Sequence, residues 1–406
     1  MPFMLTMKRA APVVGVACAT LLASSAALAA DNSFNPAIWL ILNGTYTNLS
    51  KDPGTWQPSG FQPTGGETGP GSRSFSLGET ELGLSANIDQ YFFGRATVAL
   101  TPEGEAEVEE GFVQTTALPS GLTARAGRFY SATGYLNDKH AHTWDFVDAP
   151  LVHQALFGGQ FKQEGVQLKW LAPLDQYLEL GAEVAKGQNH PGSERNSNGA
   201  GALQWSVHTG GDLGTSHNWR AGVSWLRTRA NQRGWTDNDL AGKEVNNTFT
   251  GSSRIVALDG VWKWAPHGNA KVTNLVLQGE VFKRVESGQV DYDVDTASAG
   301  PAAAAYRSSQ SGWYVQGVYQ FMPQWRVGLR HDRLDSGSVR YGDNAAYLAA
   351  TAYSPKRDTV MVDWTGSEYS RIRLQVSDDR ARAGGRDTQV FLQYIMSLGA
   401  HGAHSY

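Results

Sequence analysis

The chain has 406 residues, with 34 basic and 38 acidic side chains for a net charge of −4, and a single cysteine. That mild acidity excludes a basic nucleic-acid-binding surface, so no nucleic acid partner is expected. Abundant Gly, Trp and Tyr point to many short strands, and past the N-terminal segment no apolar run nears the ~20 residues that a membrane-spanning helix needs.

Residues 1–29 read as a secretory signal peptide. Lys8 and Arg9 precede an apolar run, and Ala27-Leu28-Ala29 offers a small-x-small cleavage site. Residues 30–406 then form the exported chain, and losing Lys8 and Arg9 takes the net charge to −6. Cys18 lies inside the leader, and Gly15 stands where a lipid-acceptor motif wants a Leu-like residue. The mature chain is therefore expected to use neither disulfides nor thiolate metal sites.

From Phe34 onward apolar and polar residues alternate with period two, which is strand patterning. Ile38, Leu40 and Leu42 open the series, followed by Leu82, Leu84 and Ala86, then Phe92, Gly94, Ala96 and Val98. Later strands repeat it in Trp313, Val315 and Tyr319, in Val360, Val362 and Trp364, and in Val390, Leu392 and Tyr394. The pattern predicts strands near 35–48, 75–89, 91–101, 107–117, 121–130, 163–172, 176–186, 200–211, 217–229, 252–265, 272–285, 310–321, 324–335, 356–366, 369–379 and 387–398. That makes about sixteen, an even number suited to an outer-membrane barrel.

Tight connectors such as Asp89-Gln90 and "MPQ" (322–324) alternate with long polar ones at 49–74, 131–162, 187–199, 230–251, 286–309 and 336–355. A chain crossing a bilayer up and down segregates short turns to one rim and long loops to the other. Closure lets every backbone N–H and C=O find a partner strand inside hydrocarbon. The expected fold is an all-β, transmembrane, antiparallel up-and-down β-barrel in the bacterial outer membrane, with outer-membrane lipid as its surroundings. Tyr406 shares parity with Val390, Tyr394 and Leu398, so the end of the chain resembles the terminal aromatic signal of outer-membrane proteins. His401 and His404 are expected near the periplasmic mouth.

Inward parity directs Arg95, Arg125, Arg220, Arg326, Arg330, Arg371 and Arg373 to the lumen, where a strip of one sign would concentrate anions. The plainer reading pairs them with Glu79, Glu81, Glu179, Glu183, Glu280 and Asp259 in wall salt bridges. Parity puts Arg128 outward on a regular strand and leaves its direction open. Trp219, Trp225, Trp262, Trp264, Trp325 and Tyr369 fit aromatic girdles, with sugar stacking as the alternative.

Residues 131–162 form the candidate constriction loop. The stretch "KHAHTWDFVDAPLVH" within it gathers Lys139, His140, His142, Asp145, Asp148 and His153. In extended backbone His140 and His142 point to one side, so with Asp145 they could hold zinc, and Asp148 or His153 could complete a tetrahedral set. The structural alternative is that the polar groups anchor the loop to the Arg wall while Phe146, Val147 and Leu151 pack. No other cofactor is expected and no enzyme activity, although Ser131 could approach the His-Asp cluster in space.

"LTARAGRFYSATGYLN" (122–137), "EGVQLKWLAP" (164–173) and "FMPQWRVGLRHDRLDSG" (321–337) resemble the phosphate-selective porin O and P family, most specifically at Ala126-Gly127-Arg128-Phe129. The resemblance implies a sixteen-stranded homotrimer with an inward-folded third extracellular loop. That family's phosphate pathway rests on clustered Lys and Arg. Here the loop departs from it, carrying Lys139 and Lys162 beside Asp138, Asp145 and Asp148. The leading functional expectation is a porin-like channel for small hydrophilic solutes or ions. The alternatives are a substrate-specific uptake protein for a metal ion or chelate, working without the plug of a TonB-dependent receptor, and an outer-membrane lipase or protease.

Overall fold

The computed structural model describes residues 36–66, 68–101 and 104–399. The leader with Cys18, together with His401, His404 and Tyr406, lies outside the described residues. Seventeen strands follow one another: β1 (Ala37–Leu49), β2 (Ser74–Leu77), β3 (Thr80–Asn87), β4 (Phe92–Leu100), β5 (Ala106–Thr115), β6 (Leu122–Tyr130), β7 (Lys162–Leu171), β8 (Tyr177–Ala185), β9 (Ala202–Leu213), β10 (His217–Asn238), β11 (Glu244–Trp264), β12 (Asn274–Tyr292), β13 (Ala302–Met322), β14 (Trp325–Arg340), β15 (Lys356–Ser367), β16 (Ser370–Arg380) and β17 (Asp387–Gly399). β1 pairs antiparallel with β17, from Trp39 opposite Gly399 to Leu49 opposite Gln389, and closes the sheet into a barrel.

β2 and β3 both pair with β1, at residues 44–47 and 37–41, so together they make one interrupted stave of a sixteen-stave barrel. The interruption falls at Gly78, where a Cβ would lie 2.5 Å from the Asn43 side-chain amide. A larger residue there would displace Asn43.

The alternation settles which face meets lipid. Leu203, Trp205 and Val207 on β9, Val256 and Leu258 on β11, Trp313 and Val315 on β13, and Val360 and Val362 on β15 are exposed. Their neighbours Gln204, Ser206, Asp259, Tyr314, Gln316 and Thr359 are buried. A closed sheet with an apolar exterior satisfies its own backbone and can sit in hydrocarbon. Trp219 lies opposite Trp262 and Trp325 opposite Trp364 at the short-turn end of this band, as an interfacial girdle requires. Among the described residues no helix is long and apolar enough to cross a membrane.

Two expected long connectors are corrected. Most of 230–251 and 286–309 is strand, because β10 to β13 run far past the apolar band, whereas 336–355 is a connector apart from 336–340, the end of β14. Above the bilayer both faces of a strand meet water or loop, so the hydrophobic alternation that marks a strand is lost there. Connector length does not alternate strictly either: the loop-rim connector 101–105 is short, and the turn-rim connector 265–273 is longer than its neighbours.

The lumen is not wholly polar. Leu226, Ile255, Ala257, Phe282 and Leu334 are buried on its wall and pack with Leu151, Val152, Leu156 and Phe157 from the 131–161 segment and with Trp56 and Phe61 from 50–73. A second apolar group, including Trp235, Phe249, Tyr292, Tyr306 and Leu348, lies toward the loop rim.

Candidate functional site

β6 ends at Tyr130, opposite Lys162 at the start of β7, and the chain between them turns into the lumen. Asn137 ties the base of this loop. Its Nδ2 donates to Ser131 O at 2.8 Å, and its Oδ1 accepts from Phe161 N at 2.7 Å. Glu183 on β8 accepts from Ser131 Oγ at 2.6 Å and Ala132 N at 2.8 Å. Glu280 on β12 accepts from Tyr135 N at 2.6 Å and contacts His153 Nε2 at 3.0 Å. Buried loop backbone needs partners of this kind, and the wall carboxylates provide them.

A short helix, α1 (Leu151–Phe157), lies within the loop with every residue buried. Pro150 precedes it, and Gly158, in the left-handed region at φ 74°, ends it by donating to Gln154 O and His153 O. This is the Pro-start, Gly-stop arrangement of short helices. Leu151 N donates to Asp332 Oδ1 on β14 at 2.9 Å. Gly312 on β13 makes room for the helix, since a Cβ there would fall 2.9 Å from Val152 Cγ2 and 2.4 Å from Leu334 Cδ2. Burying each large apolar side chain of α1 contributes about 1.5–3 kcal/mol.

Beyond α1 the loop meets a wall of arginines on β14, β15 and β16. Arg326 Nη1 lies 2.8 Å from Asp145 Oδ1, and its Nε donates to Asp363 at 3.0 Å. Arg330 Nη2 lies 2.7 Å from Asp148 Oδ1, and Arg357 Nη1 lies 2.5 Å from Asp148 Oδ2. Arg371 donates to His142 O at 2.5 Å and Arg373 to Trp144 O at 2.6 Å. The Arg330 guanidinium stacks over Phe146, 4.7 Å from the ring centre.

The opposite wall is acidic. Glu81 on β3 and Glu109 and Glu110 on β5 are buried around His140 and His142. Glu109 and Glu110 are consecutive, yet both face inward, because the register between β4 and β5 slips at Thr97/Val98. A bulge of this kind adds one residue to a strand and re-aims a side chain, which period-two reading does not foresee. Arg95 lies over the Trp39 ring at 5.0 Å and 3.4 Å from Glu110.

Two cavities lie on the short-turn side of the loop. One, of about 600 Å3, is lined by Arg95, Glu110, Arg125, Asp138, Lys139 and His140 among others. The other, of about 670 Å3, is lined by Lys271, Gln320, Arg326 and Arg371. His142 and Thr143 border both. Arg125 donates to Gln114 Oε1 and stacks 4.2 Å over Phe112, while Arg220 lies 5.2 Å over the Tyr135 ring. Among the described residues neither forms an ion pair.

On the other side of the loop, residues 50–73 lie across α1. Gly69 N donates to Gln154 Oε1 at 2.8 Å, and a Cβ on Gly66 would fall 2.3 Å from Gly158 O. Gln62 sits between Arg233, at 2.8 Å, and the Tyr306 hydroxyl, at 3.4 Å.

Several sequence expectations are corrected by this geometry. Among the described residues no arginine forms a salt bridge with Glu79, Glu81, Glu179, Glu183, Glu280 or Asp259; Arg326, Arg330 and Arg357 take Asp145, Asp148, Asp332 and Asp363 instead. Asp145 does not join His140 and His142, because Arg326 holds it. His153 is drawn away to Glu280 and Asp148 to the arginines. The carboxylate beside the histidine pair is Glu81. Lys139 lies 3.6 Å from Asp138 and over the Tyr135 ring, and Lys162 lies 2.9 Å from Glu107. Arg128 pairs with Glu164 across the sheet. Arg357 went unremarked in the sequence, although it shares the inward parity of Thr359 and Asp363.

No family model matches the chain. A relative from Aquifex aeolicus (strain VF5), described as an uncharacterized protein, is 29% identical over 364 residues, covering 82% of this chain and 70% of that one. Similar solved structures include a loop L8 deletion mutant of OmpT, an outer membrane protein of Vibrio cholerae, with TM-score 0.54, 10% identity and coverage of 90% of this chain and 99% of that one. The anion-selective porin from Comamonas acidovorans superposes with TM-score 0.53 at 11% identity, covering 90% and 99%. The outer membrane channel DcaP of Acinetobacter baumannii does so at 0.52 and 12%, covering 90% and 97%. These likenesses concern the fold: a closed sixteen-stave barrel of the bacterial outer membrane.

Proposed function

We propose that the chain is a narrow, porin-like channel through which small hydrophilic solutes or ions diffuse, with anions favoured. One observation carries this reading. A loop held inside the lumen between an arginine wall and a glutamate wall leaves charged cavities beside it; Arg125 lines one of them, Arg220 stacks on Tyr135 of the same lining, and among the described residues neither is locked into a salt bridge. Cations on a low-dielectric wall that are not held in direct ion pairs raise the local anion concentration. The resemblance to phosphate-selective porins does not carry phosphate preference with it, since Lys139 and Lys162 each have an acidic neighbour.

A substrate-specific uptake role is the second reading, and residues 50–73 lying across α1 favour it, because they narrow the path from the loop rim. Current that saturates with one solute would select it over general diffusion.

Planar-bilayer recording in unequal KCl tests the channel. Steady conductance steps with a reversal potential of the sign for chloride are expected, and Arg125→Ala with Arg220→Ala should move that potential toward zero. Replacing chloride by phosphate should not raise the current. Conductance equal to that of blank membranes would remove the channel reading, and a cation-selective reversal would remove the anion preference.

A further inference from the structure

Glu81 is fully buried on the barrel wall, and two histidines of the loop tip reach it. His142 Nδ1 lies 2.6 Å from one of its carboxylate oxygens, and His140 Nδ1 lies 3.2 Å from the other. His140 Nδ1 is also 3.6 Å from Glu109 Oε2. Single donor atoms of Glu81, His140 and His142 all fall within 4.8 Å of one another, as do those of Glu79, Glu81 and Glu109. Bonds of about 2.0–2.2 Å in a tetrahedron place donors about 3.3–3.5 Å apart. The two oxygens facing His140 Nδ1 bracket that spacing.

A second, independent feature concerns unmet bonding capacity. Glu81 Oε2, Glu109 Oε2, Glu79 Oε1 and His140 Nδ1 are buried without a hydrogen-bond partner. Tyr130 donates to Glu109 Oε1, with Lys162 3.9 Å from the same atom, so Oε2 is left aimed at the histidine. Buried carboxylates this close repel one another and need a cation or a proton between them. Arg95 stands at Glu110 and Lys162 at Glu107, so the adjacent cations are already engaged.

We propose that Glu81, His140, His142 and Glu109 form a binding site for a divalent transition ion of the zinc type. Two imidazole nitrogens with carboxylate oxygens suit zinc, whereas magnesium and calcium take all-oxygen shells. Binding requires neutral histidines and ionised carboxylates, so the ion replaces the proton that now joins His142 to Glu81. His142 borders both cavities, which gives the ion a route from the lumen. Once bound, it ties the loop tip to β3 and β5. Binding is measured without current, so the site is tested separately from conduction.

The experiment uses the full chain in detergent, stripped with EDTA and titrated with ZnCl2 alone, with bound metal counted by mass spectrometry after gel filtration. One zinc per chain is expected. Glu81→Gln and His142→Ala should each weaken binding at least about tenfold. His331→Ala, which changes an exposed histidine beside Asp358, should not. His401→Ala with His404→Ala should also leave the affinity unchanged. Heat-shifted gel mobility confirms that each variant is a folded barrel. If Glu81→Gln fails to fold, zinc K-edge absorption on the unmodified chain decides, with a shell of two imidazole nitrogens and carboxylate oxygens expected. Failure to retain zinc, a shell without histidine, or loss of binding only in the His401/His404 variant would overturn the site.

Discussion

Arg357 and Asp148 face each other in the lumen with side-chain exposures of 1% and 8%, and neither charge is stable there alone. Removing one partner of such a buried pair costs about 3–5 kcal/mol, because the other is left uncompensated. The place of the loop in the lumen is therefore fixed by charge as much as by apolar packing. Parity along the strands made the directions of Arg326, Arg330, Arg371 and Arg373 legible, since alternate side chains share a face. Their partners were not legible. Arg330 and Asp332 are two apart on one strand, but Arg326 meets Asp363 only through the register of β14 on β15. Asp239, in the loop-rim turn between β10 and β11, carries a pH prediction. Hydrogen bonds from the Ser298 hydroxyl at 2.6 Å, Lys243 N and Tyr292 lower its carboxyl to about 2. A carboxyl lowered from about 3.9 stabilises the fold fully above that value and loses the contribution as pH falls through the folded value. Hydrogen exchange over 239–243 and 293–298 should stay slow at pH 4 and accelerate between about pH 3 and 2. Asp239→Asn should exchange fast at every pH.

At the scale of elements, the loop boundaries were readable because β6 and β7 end in strong alternation at Tyr130 and Lys162. Helix α1 was not anticipated, although Pro150 and Gly158 flank its apolar run and are the usual start and stop signals. Loop composition masked it. The role of residues 50–73 was hidden for another reason: a Gly- and Pro-rich segment has no periodicity to reveal what it rests on. Trp56 Nε1 donates to Asp379 on β16 at 3.4 Å, Gln310 Nε2 donates to Gly60 O at 2.7 Å, and Phe61 joins the apolar group around α1. This segment therefore rests on β13, β16 and α1 above the constriction. Replacing 53–70 with a short Gly-Ser linker should raise single-channel conductance several-fold while leaving the anion preference in place, because Arg125 and Arg220 lie on the far side of the loop. Unchanged conductance would mean that solutes already pass around the segment.

At the scale of the molecule the barrel is lopsided. β3, β4 and β8 have 8 to 9 residues, close to what hydrocarbon requires, whereas β10, β11 and β13 have 21 or 22 and project beyond it. On the tall side Arg229, Asn231, Asn246 and Glu244 are exposed and need water. On the low side Phe75 is 84% exposed and Leu77 66%, with Phe75 packed 4.9 Å from Tyr46 on the outer surface of β1. Apolar surface beside short staves is covered by another barrel more readily than polar surface beside tall ones, since only the former gains by leaving water and headgroups. The homotrimer implied by the family resemblance should therefore assemble through the face of β1 to β4, with the tall walls outward. Native mass spectrometry should find three chains per particle. Phe75→Asp, which places a charge in that contact and leaves the lumen untouched, should release single chains that keep the heat-shifted mobility of a folded barrel. Particles of three chains persisting in Phe75→Asp would place the contact on another face, and single chains in the unmodified protein would show that each barrel works alone.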